Sequence, residues 1–355
     1  MYLKSLDLEN FRNHQKASFE FSDKTTFVVG PNTTGKTNLL EAISFLSIGR
    51  SVRGAKDEEV VRTGESIARV KGKTEDAELE VLLVLADAQS VARGRRKYLV
   101  NGVSKSRLNF SANLTTVIFS PSDLDIITGS PHLRREFLDA VLTQTDRDYR
   151  YALSSYIKAL RQRNALLDLA RDGGQRNEKQ FDYWDTLLIN TGGIVTQKRE
   201  EFIEFINKAT KEVFQFVITY DKSIISKDRL AQYKDAELGS GVTLVGPHRD
   251  DFKVALFDNA TSSTKDLRSY GSRGQQRLVI LQLKLLQLDF IEAALDGRPL
   301  LLLDDIFSEL DNSHIELETE MIGRQQSIFT TTHKEFVSNK LKPGAVIELK
   351  KDGKV

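Results

Sequence analysis

Three segments of the chain carry side chains whose types and spacing suit phosphate chemistry. Residues 30–37 read Gly-Pro-Asn-Thr-Thr-Gly-Lys-Thr, which fits the phosphate-loop pattern of a glycine, four residues and then Gly-Lys-Thr. Far along the chain, the apolar run 300–303 ends in Asp304 and Asp305. Residues 272–277, Ser-Arg-Gly-Gln-Gln-Arg, precede that run. Together these segments predict a binding site for ATP.

The phosphate loop stands in the context that its chemistry requires. Residues 26–29 are typical of a buried strand, and residues 38–46 repeat apolar side chains at helical spacing. Glycines let the loop backbone turn its N–H groups toward phosphate oxygens, while Lys36 reaches the β- and γ-phosphates and Thr37 offers a hydroxyl to Mg²⁺. A chance strand–turn–helix is the alternative. The predicted ATP-binding residues are Gly30, Pro31, Asn32, Thr33, Thr34, Gly35, Lys36, Thr37 and Asn38.

The acidic pair follows a run of four leucines, which is typical of a strand buried on both faces of a parallel sheet. Such a strand would deliver Asp304 to the carboxyl edge of the sheet, where ligands bind in open α/β folds. There Asp304 would hold Mg²⁺ together with Thr37, and Asp305 would orient or deprotonate the attacking water. The alternative is a pair of solvated carboxylates that simply ends a strand.

The third segment opens a helix that continues through residue 286. Ser272 lies near its N-cap, where a hydroxyl and free N–H groups can receive an anion. An ordinary capped helix remains open as the alternative, because serine is a favoured cap and Gly-Gln-Gln carries no unique chemistry.

Composition predicts a globular intracellular enzyme. The chain has 355 residues, of which 40% are hydrophobic and 28% are charged, and it contains no cysteine. Disulfides and thiolate sites are therefore excluded. No run of about 18 apolar residues predicts a membrane span, and the alternating residues 1–7 do not resemble a signal peptide. With a net charge of +1, any DNA-binding surface must be a local patch.

The order of predicted elements indicates an α/β protein. Strand patterns dominate to about residue 120, charged helices follow from about 131 to 215, and strands return after about 242. Asp172-Gly173-Gly174 separates two helical stretches. We predict an ATPase head made of residues 1–120 and 242–355, split by a mainly helical second lobe, residues 121–241.

Further motifs carry a resemblance to a known family. Residues 272–277, 302–311 and 330–333 look like the signature motif, the Walker B motif with its D-loop, and the switch histidine of ABC-type ATPases. Together with six further segments, these motifs make the chain resemble the RecF family of bacterial recombination-mediator ATPases. Thr33 departs from the family, which usually has glycine there. The segments are residues 8–13, 36–43, 49–53, 119–124, 129–139 and 246–251.

The resemblance implies an ABC-type head with a helical second lobe and no long coiled coil. Two heads would close on two ATP molecules, so that Ser272 of one protomer contacts the γ-phosphate held by Lys36 of the other. The implied catalytic residues are Lys36, Asp305, Ser272 and His333. Further implied ATP contacts are Gly274, Gln275 and Asp311, with Arg12 and Asn13 near the base or sugar.

The resemblance also implies a cytoplasmic, nucleoid-associated protein with slow, DNA-stimulated ATP hydrolysis. It would dimerise on ATP and bind duplex or gapped DNA. With RecO and RecR it would promote RecA loading in gap repair, replication and the SOS response. One alternative is a binding module that uses ATP without hydrolysing it. Another is an ATPase subunit of a nuclease or defence system.

DNA contacts are predicted at basic residues on predicted loops. Lysine and arginine bind backbone phosphates without reading the sequence, although most such charges on a protein surface are simply solvated. The predicted contacts are Arg50, Arg53, Arg93, Arg95, Arg96 and Lys97.

Overall fold

The computed structural model describes residues 2–86, 94–173, 177–258, 263–305, 324–332 and 344–350. Its strands are β1 (Leu3–Phe11), β2 (His14–Glu20), β3 (Thr25–Val29), β4 (Ile67–Thr74), β5 (Glu78–Val84), β6 (Arg95–Val100), β7 (Val103–Lys105), β8 (Thr116–Phe119), β9 (Phe216–Asp221), β10 (Asp251–Asp258), β11 (Ser263–Asp266), β12 (Leu300–Asp304), β13 (Ser327–Thr331) and β14 (Ala345–Glu348). Its helices are α1 (Lys36–Ile48), α2 (Asp57–Val60), α3 (Arg107–Phe110), α4 (Asp125–Thr128), α5 (Pro131–Thr145), α6 (Arg147–Arg171), α7 (Glu178–Lys208), α8 (Lys227–Gln232), α9 (Lys234–Ser240), α10 (Leu267–Tyr270) and α11 (Arg273–Leu295).

The chain divides into two compact units, Met1–Ser122 with Ile291–Val355, and Asp123–Phe290. The first boundary falls close to the predicted one. The second does not coincide with it, because residues 242–290 group with the second unit and not with the head. Strand pairing explains the difference, since β10 pairs with β9 on one side and β11 on the other. The predicted helical lobe therefore also contains a small antiparallel sheet.

Two sheets of the first unit position the phosphate loop. An antiparallel sheet has the strand order β2-β1-β4-β5-β6-β7, and a parallel sheet has the order β14-β3-β13-β12-β8. Every residue of β3, β12 and β13 is buried, as expected for parallel strands covered on both faces. Helix α1 packs against strands of both sheets. The predicted α/β class is confirmed, and so are the predicted strand before the loop and the helix after it.

The second unit is built around α6 and α7, which pack against each other. Arg199 of α7 is buried and donates hydrogen bonds to Asp139 at 2.7 Å and Asp250 at 3.1 Å. The same guanidinium bonds to the Pro247 carbonyl at 2.8 Å. These contacts place the Gly-Pro-His-Arg-Asp-Asp segment, residues 246–251, in the polar core of this unit, because a buried charge must be paired. Among the described helices, none combines the length and apolar composition that a membrane crossing needs.

Candidate active site

The phosphate loop runs from the end of β3 into the first turn of α1. Gly35 precedes the helix with φ 99°, a left-handed backbone that favours glycine. A Cβ at this position would lie 2.6 Å from the side chain of Asn13 and 2.7 Å from His14. Backbone conformation and close packing therefore both require glycine at Gly35, and the N-terminus of α1 is left open to an anion.

Lys36 is folded back onto the loop. Its Nζ donates to the carbonyl oxygens of Gly30 at 2.7 Å and Pro31 at 2.9 Å, and the residue is 7% exposed. Burial lowers the pKa of Lys36, while the charges of Asp305 and Asp304 act to raise it. The Lys36 ammonium group thus lies close enough to both carboxylates for their charges to act on it. A phosphate bound in the loop would accept hydrogen bonds from this group and replace the hydration that it loses on burial.

The acidic end of β12 meets the loop directly. Thr37 Oγ1 donates to Asp304 Oδ1 at 3.0 Å, although the two residues are 267 positions apart in sequence. Thr330 Oγ1, on the intervening strand β13, donates to the same oxygen at 2.7 Å. The backbone N–H of Asp305 bonds to the Thr330 carbonyl at 3.1 Å. A hydroxyl beside a carboxylate is a set of oxygen ligands that suits Mg²⁺, so the residues present fit this ion.

Thr330 is a site residue whose position the sequence did not reveal. The sequence identified it only as part of the segment leading to His333, yet its hydroxyl contacts the carboxylate of Asp304, at the end of β12, and the backbone N–H of Asp305, the next residue. Only the register of β13 against β12, in which Thr330 lies opposite Asp304, shows the relationship.

Thr33 has an unfavourable backbone conformation at the tip of the loop. Its φ is 70°, a left-handed region that costs a side chain with Cβ about 1–2 kcal/mol. Its side chain makes a local hydrogen bond, from Oγ1 to the Asn32 carbonyl at 2.5 Å. This backbone conformation explains why glycine is favoured at this position. Threonine in its place strains the loop.

We predict that Thr33→Gly raises the free energy of unfolding by about 1 kcal/mol, because relief of strain exceeds the added entropy of the unfolded chain. The affinity for ATP should rise by a few-fold, since the loop would reach its binding conformation without strain. Denaturant unfolding and nucleotide titration measure the two effects.

Thr34→Gly is the matched control for that prediction. Thr34 Oγ1 donates to the Pro31 carbonyl at 2.9 Å, and its φ is not positive. Glycine there should destabilise the loop. A Thr33→Gly variant that loses stability as the control does would contradict the strain argument.

The β1–β2 turn is docked along one face of α1. The contacts are a His14 Nε2 to Gly35 carbonyl distance of 3.2 Å, an Asn38-to-Asn13 side-chain hydrogen bond at 2.8 Å, and a two-pronged ion pair of Arg12 with Glu41. Their partners on the helix recur every three residues, so they share a face. Glu41 is buried and also accepts from Ser51 at 2.6 Å.

Two of the predicted ATP-binding residues, Arg12 and Asn13, are therefore bound to neighbouring residues of the chain. Asn13 touches the loop itself, whereas the Arg12 guanidinium is held by Glu41 and by the Glu59 carbonyl at 2.6 Å. Their placement beside the base or sugar stays a prediction. His14 and Glu41 were not singled out from the sequence. Glu41 lies opposite the apolar positions of the predicted helix, so helical spacing gave no signal for its burial.

The third segment contains a local cap and an unexplained glycine. Ser272 Oγ accepts from the Gln275 N–H at 3.3 Å, and Gln275 Oε1 accepts from the Ser272 N–H at 2.9 Å. This reciprocal pair is a capping box, so the ordinary-cap interpretation accounts for these two residues within one chain. It does not account for Gly274, because a Cβ there would meet nothing within 4 Å.

Glycine in a helix costs about 1 kcal/mol relative to alanine. The chain's own packing and backbone supply no reason for Gly274, which lies in the first turn of α11 without a positive φ. Close approach of another molecule to this turn would supply one.

The predicted DNA contacts lie in different surroundings. Arg95 and Lys97 are exposed on β6, a strand and not the loop expected, because alternation turns them to the solvent face while Tyr98 is buried. Arg96 Nε is bound to Asp57 at 2.8 Å, and Arg53, 54% exposed, lies 3.8 Å from Glu41. Arg50 is half-buried. The other predicted positions, Arg93, Asp311 and His333, lie outside the described residues.

Comparisons with known proteins give this geometry a family context. The family model described as the RecF/RecN/SMC N-terminal domain matches residues 2–354. The protein from Bacillus cereus named DNA replication and repair protein RecF is 33% identical, with 94% of this chain and 92% of that protein covered. The Bacillus velezensis protein of the same name is 34% identical, with 94% and 93% covered.

Solved structures agree with the sequence relatives. A structure of the recombination mediator RecF with ATP in the RecFOR pathway has a TM-score of 0.87 at 32% identity, covering 99% of this chain and 96% of that one. An Smc head domain from Pyrococcus furiosus, at 17% identity and a TM-score of 0.51 over 99% and 94% of the two chains, shares the fold. The resemblance found in the sequence motifs is confirmed, and the chain belongs to the RecF family.

Proposed function

We propose that this chain is an ATP-dependent DNA-binding ATPase that acts in DNA replication and repair. The observation that carries the proposal is the hydrogen bond between Thr37 of the phosphate-loop helix and Asp304 of β12. It joins the phosphate-binding and metal-binding halves of one nucleotide site. Relatives named DNA replication and repair protein RecF, and a solved RecF structure with ATP, support the same function.

The phosphates of ATP would occupy the N-terminal turn of α1. The loop N–H groups and the helix dipole favour the negative charge there. Lys36 would exchange its hydrogen bonds to the Gly30 and Pro31 carbonyls for bonds to phosphate oxygens. Thr37 and Asp304 would hold Mg²⁺, which neutralises charge on the β- and γ-phosphate oxygens when bound.

We propose that Asp305 orients the attacking water and accepts its proton. Its backbone N–H is bound to Thr330, whose side chain also holds Asp304. Thr330 therefore holds the carboxylate of Asp304 and the backbone of Asp305. General-base assistance of this kind contributes about 10²–10⁴ to a rate. We propose that hydrolysis is slow and stimulated by DNA, and that it ends the DNA-bound state.

The open first turn of α11 supports a composite site. In a dimer formed on ATP, Ser272 and Gly274 of one protomer would approach the γ-phosphate bound by the partner's phosphate loop. The lack of a Cβ at Gly274 would then permit close contact. Gln275, Asp311 and His333 are assigned to the same composite site, and Arg12 and Asn13 to the sugar end, by resemblance to the family. ATP favours the dimer because it binds that state better.

The partners proposed are DNA, RecO and RecR, and indirectly RecA. The solved RecF structures are described as belonging to the RecFOR pathway, which supports RecO and RecR. We propose that the protein binds duplex or gapped DNA, promotes RecA loading in gap repair and the SOS response, and lies in the cytoplasm with the nucleoid.

The proposed DNA binding is tested by reversing the charges of Arg95 and Lys97, the two exposed basic residues of β6. Arg95→Glu with Lys97→Glu should weaken binding of duplex DNA at low salt and leave ATP affinity unchanged, because both side chains face the solvent. Lys16→Glu with Lys24→Glu, at other exposed positions of the same unit, is the charge-matched control. Equal DNA affinity for both double variants would refute a role for this strand.

A further inference from the structure

Two arginine side chains reach Gly49, the C-cap of α1 with φ 69°, and a third arginine follows it in the chain. Arg96 Nη1 donates to the Gly49 carbonyl at 3.3 Å. The aliphatic stem of Arg107 lies on the glycine backbone, since a Cβ there would be 3.0 Å from Arg107 Cγ. Arg50 is the next residue in the chain. Side chains from α3 and β6 therefore meet at Gly49, and the charge of Arg50 lies close enough to act on the pKa of Arg107.

The positive charge at this point is only partly balanced. Arg96 Nε bonds to both carboxylate oxygens of Asp57, at 2.8 and 2.9 Å. Arg50 and Arg107 are both half-buried, and neither has an ion-pair partner among the described residues. Burial lowers the pKa of Arg107, the charges of Arg50 and Arg96 act in the same direction, and Tyr98 acts to raise it.

Such an arrangement costs folding free energy unless an anion completes it. Unpaired, partly buried like charges repel each other and lose hydration. The Gly49 carbonyl is already bound by Arg96 and by the Tyr98 hydroxyl at 3.0 Å. Functional sites are where uncompensated charge clusters are retained.

We propose that Arg50 and Arg107 form a phosphate-binding subsite beside Gly49 that receives a backbone phosphate of DNA. The inference rests on the proposed function for the identity of the ligand. The arginine fork matches phosphate geometry. Tyr98 is 8% exposed and bound to the Gly49 carbonyl, so it is no stacking platform for a base. The subsite therefore positions the DNA backbone and reads no sequence.

The test is Arg107→Met, which keeps the stem that packs on Gly49 and removes the charge. Affinity for a labelled duplex should fall about tenfold at moderate salt, and the slope of log affinity against log salt should become shallower by about one. Mg-ATP affinity should not change. The melting temperature should stay equal or rise, because repulsion with Arg50 is relieved.

Two controls make the result decisive. Lys16→Met removes the same charge from β2, the opposite edge of the antiparallel sheet, and should leave affinity and slope unchanged. Arg96→Met breaks the Asp57 pair and should lower the melting temperature, in contrast to Arg107→Met.

Three results would overturn the inference. They are an unchanged affinity and slope for Arg107→Met, a loss of melting temperature without loss of DNA binding, and a loss of Mg-ATP affinity with DNA binding intact. In each case, DNA binding by the wild type would leave the proposed function standing. A wild type that binds no DNA at low salt would instead reject both.

Discussion

Replacement of Asp305 by asparagine should lower the turnover number for ATP hydrolysis by about a hundredfold or more and leave ATP affinity nearly unchanged. Asparagine has the same shape but accepts no proton at its side chain. It also tolerates the left-handed backbone of this position, where φ is 50°. The backbone bond to Thr330 does not depend on the side chain. Single-turnover hydrolysis and nucleotide titration separate the two quantities.

Asp296→Asn is the matched control for that variant. Asp296 has the same φ of 50°, is exposed and precedes β12, whereas Asp305 follows it. It should hydrolyse ATP at the wild-type rate. If Asp305→Asn also did so, another group would have to activate the water. If the wild type bound ATP without hydrolysing it at all, the ATP-binding module considered from the sequence would be the better account.

Lys36→Met should reduce ATP affinity by at least about a hundredfold, because a charged donor to the phosphates is lost in a buried site. The pH dependence has a defined sign. Burial lowers the pKa of Lys36 in the protein without nucleotide, so its proton is lost at a lower pH than from a free lysine. Wild-type affinity should therefore fall as the pH rises into the alkaline range, and Lys36→Met should not show that fall.

Lys24→Met, at an exposed position just before β3, is the control for that measurement. It should bind ATP as the wild type does at every pH. If Lys36→Met kept its affinity for ATP, Lys36 would serve to hold the loop carbonyls and not to bind phosphate.

Local patterns predicted the parts of the fold that depend on neighbouring residues. The alternating residues 1–7 predicted the start of β1, and the apolar run 300–303 predicted β12. Apolar side chains at helical spacing over residues 38–46 predicted α1, which the structure begins two residues earlier, at Lys36. The basic residues 95–97 were expected in a loop, because their charge masks a strand whose solvent face tolerates them. Charge is a weak guide to secondary structure on an exposed face.

Features that depend on distant pairing could not be read from the chain. The contact of Thr330 with Asp304 exists because β13 lies between β3 and β12. The grouping of residues 242–290 with the second unit depends on β9 pairing with β10. The strain at Thr33 is a backbone dihedral, which residue identity suggested but could not measure.

Light scattering coupled to size exclusion tests the central claim most directly. The wild type and Ser272→Arg would be compared with Mg-ATP, with Mg-ADP and without nucleotide, and unfolding of the same samples would show whether loss of the cap alters stability. The account predicts a dimer with Mg-ATP alone, and none for Ser272→Arg. A wild type that stays monomeric in all three conditions would contradict it, and would detach residues 272–277 from ATP.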